Sequence, residues 1–480
     1  MTRTLVIQPV SRIEGHAKVT IELDDAGNVH DTRVNVIELR GFERFCVGRP
    51  VEEMPRIVTR ICGVCPWSHH LAASKACDSV FGVVPPPAGR KLRELGNSIA
   101  YMEEHILHFY FLAGADFVLG PDTDPATRNV LGIAAKVPDV ARRVVHVRHL
   151  CARMLEILAG KSIHPDASVP GGFSKPLLPA ERDQLRTMAE ECLELARFSI
   201  AFAKEKIFPP YLDIIPSFGT IETGFLGTVT GHGELNLYDG TLRLMAKDGT
   251  YVEFPYDQYT DYLSEHIEPW SYMKFPYDKR AGVFSMDPDT PNGIYRAGTL
   301  ARINICDRIS TPLAQAELDE FRSKFGRPAQ ATLLYHWARL IELLHNSENA
   351  MRILDDPEIT NPETRVKAVP RAARGVGCVE APRGTLLHDY TTDENGILTK
   401  VNLIVGTTHN NAPINMSVKK VAKTVIKDGK YDQGIMNRVE MAIRAYDPCF
   451  SCATHRFNGT VAVQIDILDA QGHLVESLTN

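Results

Sequence analysis

Two cysteine pairs carry the most chemistry in this sequence. Arg60-Ile-Cys62-Gly-Val-Cys65-Pro-Trp-Ser-His69 stands near one end and Asp447-Pro-Cys449-Phe-Ser-Cys452-Ala-Thr-His455 near the other. Each is a CxxC unit, followed by a histidine after four residues in the first and three in the second. Two intervening residues make about one tight turn, so both sulfurs of a pair can face one centre. Four thiolates are soft donors, suited to zinc, iron or nickel. Zinc ribbons and fingers place their pairs roughly 12–20 residues apart. Here the pairs lie at opposite ends of 480 residues, so a shared site must tie the two ends of the folded chain together. That placement favours a catalytic metal centre. Structural zinc and a redox or disulfide role are the alternatives.

The rest of the composition narrows the field. Lys+Arg number 53 and Asp+Glu 59, a net charge of −6, which argues against phosphate-backbone binding and hence against a nucleic-acid partner. The apolar share of 44% and charged share of 23% exclude a disordered or collagen-like chain. No apolar run approaches the roughly 18 residues of a membrane span, and the first residues turn polar too soon for a secretion signal. The expected location is therefore the cytoplasm, with no transmembrane segment. Six of the ten cysteines are scattered singly and read as small buried hydrophobes. With no third CxxC, no iron–sulfur cluster is expected in this chain. With no phosphate-cradling glycine loop, neither nicotinamide nor flavin is expected.

Something must hold the two pairs together. Ala17–Leu23 alternates at period two and Val29–Ile37 follows a turn cluster, which predicts a hairpin within an N-terminal β region over residues 1–40. Helical spacing runs over Lys91–Phe117, Arg128–Ala159, Glu181–Lys206, Pro312–Phe325, Ala329–Leu354, Ala412–Ile426 and Gln433–Ala445. Residues 207–310, rich in Pro, Gly, Tyr and Asp, read as irregular with short strands. Val401–Val405 is a further strand, and Val461–Leu468 and Leu474-Val475 return to strand. Strands and helices do not alternate in βαβ units, so a Rossmann sheet is not expected. The fold class is α+β, mainly helical: a core of long helices with small peripheral sheets. No low-complexity linker divides the chain, so residues 1–480 read as a single interwoven unit.

With the motifs assembled, the sequence resembles the large subunit of nickel–iron hydrogenases. The resemblance rests on R-I-C-G-V-C and D-P-C-x-x-C-x-x-H, on S-R-I-E-G-H at Ser11–His16, R-G-F-E at Arg40–Glu43, E-A-P-R-G-T-L at Glu380–Leu386 and T-T-H-N-N at Thr407–Asn411. It spans essentially the whole chain, and the wording is most similar to the cytoplasmic methyl-viologen-reducing subgroup associated with heterodisulfide reductase. The resemblance implies reversible oxidation of dihydrogen. Cys62 and Cys449 would be terminal ligands of nickel. Cys65 and Cys452 would bridge nickel to an iron that carries carbonyl and cyanide. Glu14 would take the proton, and Arg383 and Asp447 would form a canopy over the open coordination site. Glu104 falls where better-known members carry aspartate in that canopy. His69 and His105 are candidates to tune the metal by donating to sulfur. Glu43 and His455 would hold magnesium or iron.

Electrons then require partners: a small subunit with iron–sulfur clusters and, by the subgroup, heterodisulfide reductase reached through an electron-transfer subunit. A NAD-reducing bidirectional enzyme and a non-turnover dihydrogen sensor are the alternatives. Residues 456–480 resemble a maturation extension that a protease removes after nickel insertion, with the expected cut between His455 and Arg456.

Overall fold

The computed structural model describes residues 3–454, 464–468 and 474–479. The expected hairpin is present: Ala17–Leu23 pairs antiparallel with Val29–Val36, and Arg3–Ile7 adds a third strand along the other edge of Ala17–Leu23. Every second residue of Ala17–Leu23 is buried, as the alternation requires. Asn415 accepts a hydrogen bond from the Val34 amide at 2.8 Å, fastening this sheet to the helix Asn411–Val425.

Four long helices, Pro87–Ile106, Pro138–Ala159, Pro179–Phe202 and Tyr335–Asp355, pack against one another and form the core. Proline opens three of them at a first-turn position, where its missing N–H costs nothing. The helix expected over Arg128–Ala159 is two, Val130–Lys136 and Pro138–Ala159, because Pro138 cannot continue a helix that precedes it. The expected Lys91–Phe117 helix starts earlier, at Pro87, and passes into a π-helical stretch over Leu107–Leu112. Residues 207–310 carry the expected short strands: Gly224–Val229, Thr241–Met245 and Tyr251–Phe254 form an antiparallel sheet that Tyr295–Arg296 joins in parallel.

Three elements carry no periodic signal. The helix Pro66–Phe81 buries fifteen named residues of its sixteen, and a helix buried all round shows no amphipathic stripe. Strands Arg374–Ala381 and Gly384–Thr392 are almost continuously buried, so they show no alternation at period two; their neighbour Leu398–Ile404 overlaps the strand expected over Val401–Val405. These elements pack directly on one another. A Cβ on Gly377 would lie 2.1 Å from the Ala72 carbonyl oxygen, and one on Gly375 2.5 Å from the Val80 amide. Only glycine lets the strand approach the helix backbone this closely.

At the C-terminal end, Gln433–Ala445 is helical as expected and leads through Asp447 to the short helix Phe450–Ala453. Gln464–Leu468 pairs antiparallel with Leu474–Thr479. Val461 to Val463, His455 and the expected cut after it lie outside the described residues.

Candidate metal centre

A buried ion cluster brings the two ends of the chain together. Asp116, 1% exposed, accepts from Arg12 at 2.6 Å and from Arg444 at 2.7 and 3.0 Å, and also pairs with Arg128. Arg444 closes the helix Gln433–Ala445 and donates to the Ser11 carbonyl at 2.9 Å, while Ser11 donates its hydroxyl to Glu440 at 2.8 Å. The Ser11–His16 segment is thereby laid along the approach to Cys449. A parallel β-bridge joins Glu14 to Cys449, and the Phe450 amide donates to the Glu14 carbonyl at 3.1 Å.

The four sulfurs of the two pairs then meet. All lie within 4.8 Å of one another, with separations of 3.2 Å for Cys62–Cys449, 3.8 Å for Cys65–Cys449, 3.3 Å for Cys65–Cys452 and 2.8 Å for Cys449–Cys452. Among the described residues they form the one His/Cys/Asp/Glu group of this kind. None of the four is in a disulfide, and all are 4% exposed or less. Cys65 caps the helix Pro66–Phe81, and the Cys449 amide donates to the Thr407 hydroxyl at 2.8 Å.

This donor set fits a metal. Hydrogen bonds from Cys449, Cys452 and Cys65 draw Cys62 well below the ordinary thiol range, whereas burial pushes Cys449 and Cys452 well above it. Binding a cation would have to displace protons from these buried thiols. At metal–sulfur bonds of about 2.3 Å, a tetrahedral zinc spaces its sulfurs about 3.8 Å apart and right-angled bonds space them about 3.3 Å apart. The separations of 2.8–3.8 Å are close enough for all four sulfurs to be shared by one or two metals.

Above the sulfurs stands a layer of buried charge. Arg383 occupies the tip of the turn between strands Arg374–Ala381 and Gly384–Thr392. It donates to Asp447 at 3.2 Å and pairs with Glu104. Burial opposes its charge, but Asp447, Glu104, Cys449 and Cys65 together hold the guanidinium firmly cationic. Burial opposes the Glu104 charge as well, and the Arg383 guanidinium beside it favours that charge. Asp447 sits at φ 53°, a left-handed backbone that costs a non-glycine residue about 1–2 kcal/mol. Its bond to Arg383 helps hold it there.

The Arg383 turn is itself clamped from below. Arg302, fully buried, donates to the carbonyls of Ala381 and Pro382 at 2.8 and 2.9 Å. It is anchored by Glu342, with two contacts at 2.7 Å, and by Glu380 at 2.8 Å. Asn410 donates to the Arg383 carbonyl at 3.4 Å. Residues at sequence distances of this size left no spacing to read. Arg302 and Glu342 lie on helices and Glu380 on the strand Arg374–Ala381; Glu380 fell within the E-A-P-R-G-T-L motif, whereas no pattern singled out Arg302, Glu342, Asp116 or Arg444.

The remaining candidates divide. Glu14 is half-buried; its carboxylate accepts from the Ser451 amide at 3.3 Å and from the Ser451 hydroxyl. Burial and then the charge of Cys62 raise its pKa. Ser451 had no signal beyond its place between two ligands. His69 is fully buried on the first turn after Cys65, and burial pushes its imidazole down to about 4, so it is neutral. His105 turns away and meets Glu342 at 3.0 Å. Glu43 lies apart from the sulfur group, where it accepts from the Leu403 amide at 2.8 Å and from Lys274 at 2.9 Å. Lys274 also reaches Glu265 and Asn402. Glu43 therefore shares the Lys274 ammonium with a second carboxylate. His455, its expected co-ligand, is outside the described residues.

Comparison with known proteins agrees with the geometry. Residues 40–128 and 292–455 match the family described as nickel-dependent hydrogenase, and residues 4–39 match one described as HoxL-like. The chain is 45% identical over 482 residues to an F420-non-reducing hydrogenase subunit of Methanothermobacter thermautotrophicus, covering 99% of each chain. It is 39% identical over 493 residues to the NAD-reducing hydrogenase HoxS subunit beta of Cupriavidus necator, again covering 99% of each. The crystal structure of an NAD+-reducing [NiFe]-hydrogenase in its H2-reduced state superposes with a TM-score of 0.89 at 42% identity, over 95% of this chain and 100% of that one.

Proposed function

The chain belongs to the nickel-dependent hydrogenase family, and from that premise we propose how its residues bring about the reversible oxidation of dihydrogen to two protons and two electrons. Cys62, Cys65, Cys449 and Cys452 would hold the nickel–iron centre, with Cys65 and Cys452 shared between the metals and carbonyl and cyanide on iron. When bound, that centre supplies a Lewis-acidic site that polarises dihydrogen and receives its electrons.

The chain's own residues do the rest. Arg383 is a fixed cation above the sulfurs, locked by Glu104 and Asp447, and it stabilises negative charge that develops beneath it. Glu14 takes the proton at a carboxylate oxygen. Support comes from its bridge to Cys449 and from burial, which raises its pKa and so favours proton uptake. Ser451 orients that carboxylate. Glu43, with His455, would hold magnesium or iron beside Lys274.

The six cysteines outside the cluster are single, so electrons leave through an iron–sulfur small subunit docked beside the centre. The resemblance to the methyl-viologen-reducing subgroup favours heterodisulfide reductase, with an electron-transfer subunit, as the onward partner in the cytoplasm. The similarity to a NAD-reducing relative makes a nicotinamide-reducing module the second reading. Identifying the proteins that co-purify with the chain separates the two.

The observation that carries the proposal is the convergence of sulfurs from both ends beneath Arg383. Its test is metal analysis with infrared spectroscopy on the purified complex. About one nickel per chain is expected from the four-thiolate set, with bands from iron-bound carbonyl and cyanide. Zinc in its place, with a silent infrared window, would overturn the assignment.

A further inference from the structure

One buried guanidinium near the site has no anion in contact with it. Arg302 meets Glu342 and Glu380, Arg383 meets Glu104 and Asp447, and Arg444 meets Asp116 and Glu440. Arg339, on the helix Tyr335–Asp355, is 1% exposed and makes no ion pair among the described residues. Its Nη2 donates to the Ala445 carbonyl at 3.2 Å, and its Nη1 donates to the Tyr335 carbonyl and to His336 Nδ1, each at 3.4 Å. Its Nε is buried with no hydrogen-bond partner among the described residues. A buried charge with nothing opposite it is strongly destabilising, so the fold must supply something negative nearby.

That something stands at the end of the helix Gln433–Ala445. The last carbonyls of a helix have no partner within it and carry the negative end of its dipole. Arg339 takes the Ala445 carbonyl, and His108 Nε2 donates to the Arg444 carbonyl at 2.7 Å. Asp447 follows Ala445 by two residues, in its left-handed backbone. Its Oδ1 accepts from Arg383, and its Oδ2 is buried with no hydrogen-bond partner among the described residues. Burial pushes Arg339 down to about 10, and the charge of Asp447, ahead of that of Glu342, works most strongly to keep it cationic.

We propose that Arg339 is a second cation of the canopy: a positioning residue that caps the Ala445 carbonyl, holds the turn carrying Asp447 against Arg383, and adds its buried positive charge to that of Arg383. Asp447 precedes Cys449 by two residues, and charges act over long distances through a dry interior. A cation buried near a redox centre favours the reduced form, so Arg339 would raise the potential at which the centre accepts electrons. The inference rests on the nickel–iron reading above. Measuring nickel in the wild-type complex first separates failure of that reading from failure of this one.

The experiment compares the purified complex carrying Arg339→Lys, Arg339→Gln or Arg339→Met with wild type. The readouts are nickel content and the midpoint potential of the metal centre, followed by infrared redox titration at fixed pH. Arg339→Lys keeps the charge, Arg339→Gln keeps an N–H donor without the charge, and Arg339→Met keeps the bulk with neither. We expect all three to load nickel. The midpoint potential should shift to more negative values in Arg339→Gln and Arg339→Met and stay near wild type in Arg339→Lys. A capping role alone would leave Arg339→Gln at the wild-type potential. That result, a wild-type potential in Arg339→Met, or a shift in Arg339→Lys as large as in Arg339→Met overturns the proposal. If neither neutral variant loads nickel, Arg339→Met is combined with Asp447→Asn, which removes the anion together with its cation: recovered nickel supports the assignment and continued loss refutes it.

Discussion

Replacing Gly406 by alanine should slow turnover without touching any metal ligand. A Cβ at this position would lie 2.7 Å from the Arg383 carbonyl carbon, 2.7 Å from the Gly384 amide and 2.9 Å from the Arg383 carbonyl oxygen. These are backbone atoms, so no flexible side chain can swing aside. Ordinary contact begins near 3.4 Å, which means the Arg383 turn or the Gly406 backbone must move by about 0.7 Å, the scale on which misplaced groups lose up to roughly 10²-fold in rate. Arg302 and Asn410 hold the turn from its other sides, so part of the strain stays in the protein as about 1–3 kcal/mol of lost stability. We therefore expect kcat for dihydrogen-dependent methyl viologen reduction to fall by about 10- to 100-fold, in keeping with that misplacement cost, at unchanged nickel content. Gly231→Ala is the control, because a Cβ there meets nothing within 4 Å. Wild-type kcat in Gly406→Ala would show that the position of Arg383 does not govern the rate.

Three further expectations follow from the same geometry. Glu14→Gln keeps the hydrogen bonds of the carboxylate largely in place but removes its proton-accepting capacity. Dihydrogen oxidation should drop by about 10²-fold or more with infrared bands intact, and unchanged turnover would clear Glu14 of the role. Cys449→Ser should abolish nickel loading, measured by elemental analysis; a full complement of nickel would remove Cys449 from the ligand set. Burial works to raise the Asp116 carboxyl, but Arg444, Arg12 and Arg128 outweigh it and the net shift is downward. Asp116→Asn should cost about 3–5 kcal/mol at neutral pH by leaving those guanidinia short of an anion. Because the folded pKa lies below the unfolded one, that stabilisation is complete above about pH 4 and fades as pH falls through the folded value. A wild-type-to-variant gap in urea stability that does not narrow in acid would refute the assignment.

What the sequence determined by itself was the chemistry. Cys62, Cys65, Cys449 and Cys452 declared a four-sulfur site because CxxC spacing is local, and local spacing survives whatever fold surrounds it. Their positions at opposite ends required those ends to meet, and the motifs around them identified the family before any coordinates. The amphipathic helix Gln433–Ala445 and the alternating strand Ala17–Leu23 were legible for the same reason: one face is wet and one dry, and the period records it.

Tertiary structure alone decided how the site is built. The helix Pro66–Phe81 and the strands around Arg383 are buried on all sides, so no period betrayed them, although they carry Cys65 and the canopy. Arg302, Glu342, Asp116 and Arg444 pair across tens to hundreds of residues, and nothing in a linear chain states which buried cation will find which anion. Packing settles that, because a buried charge without its partner is too costly to keep.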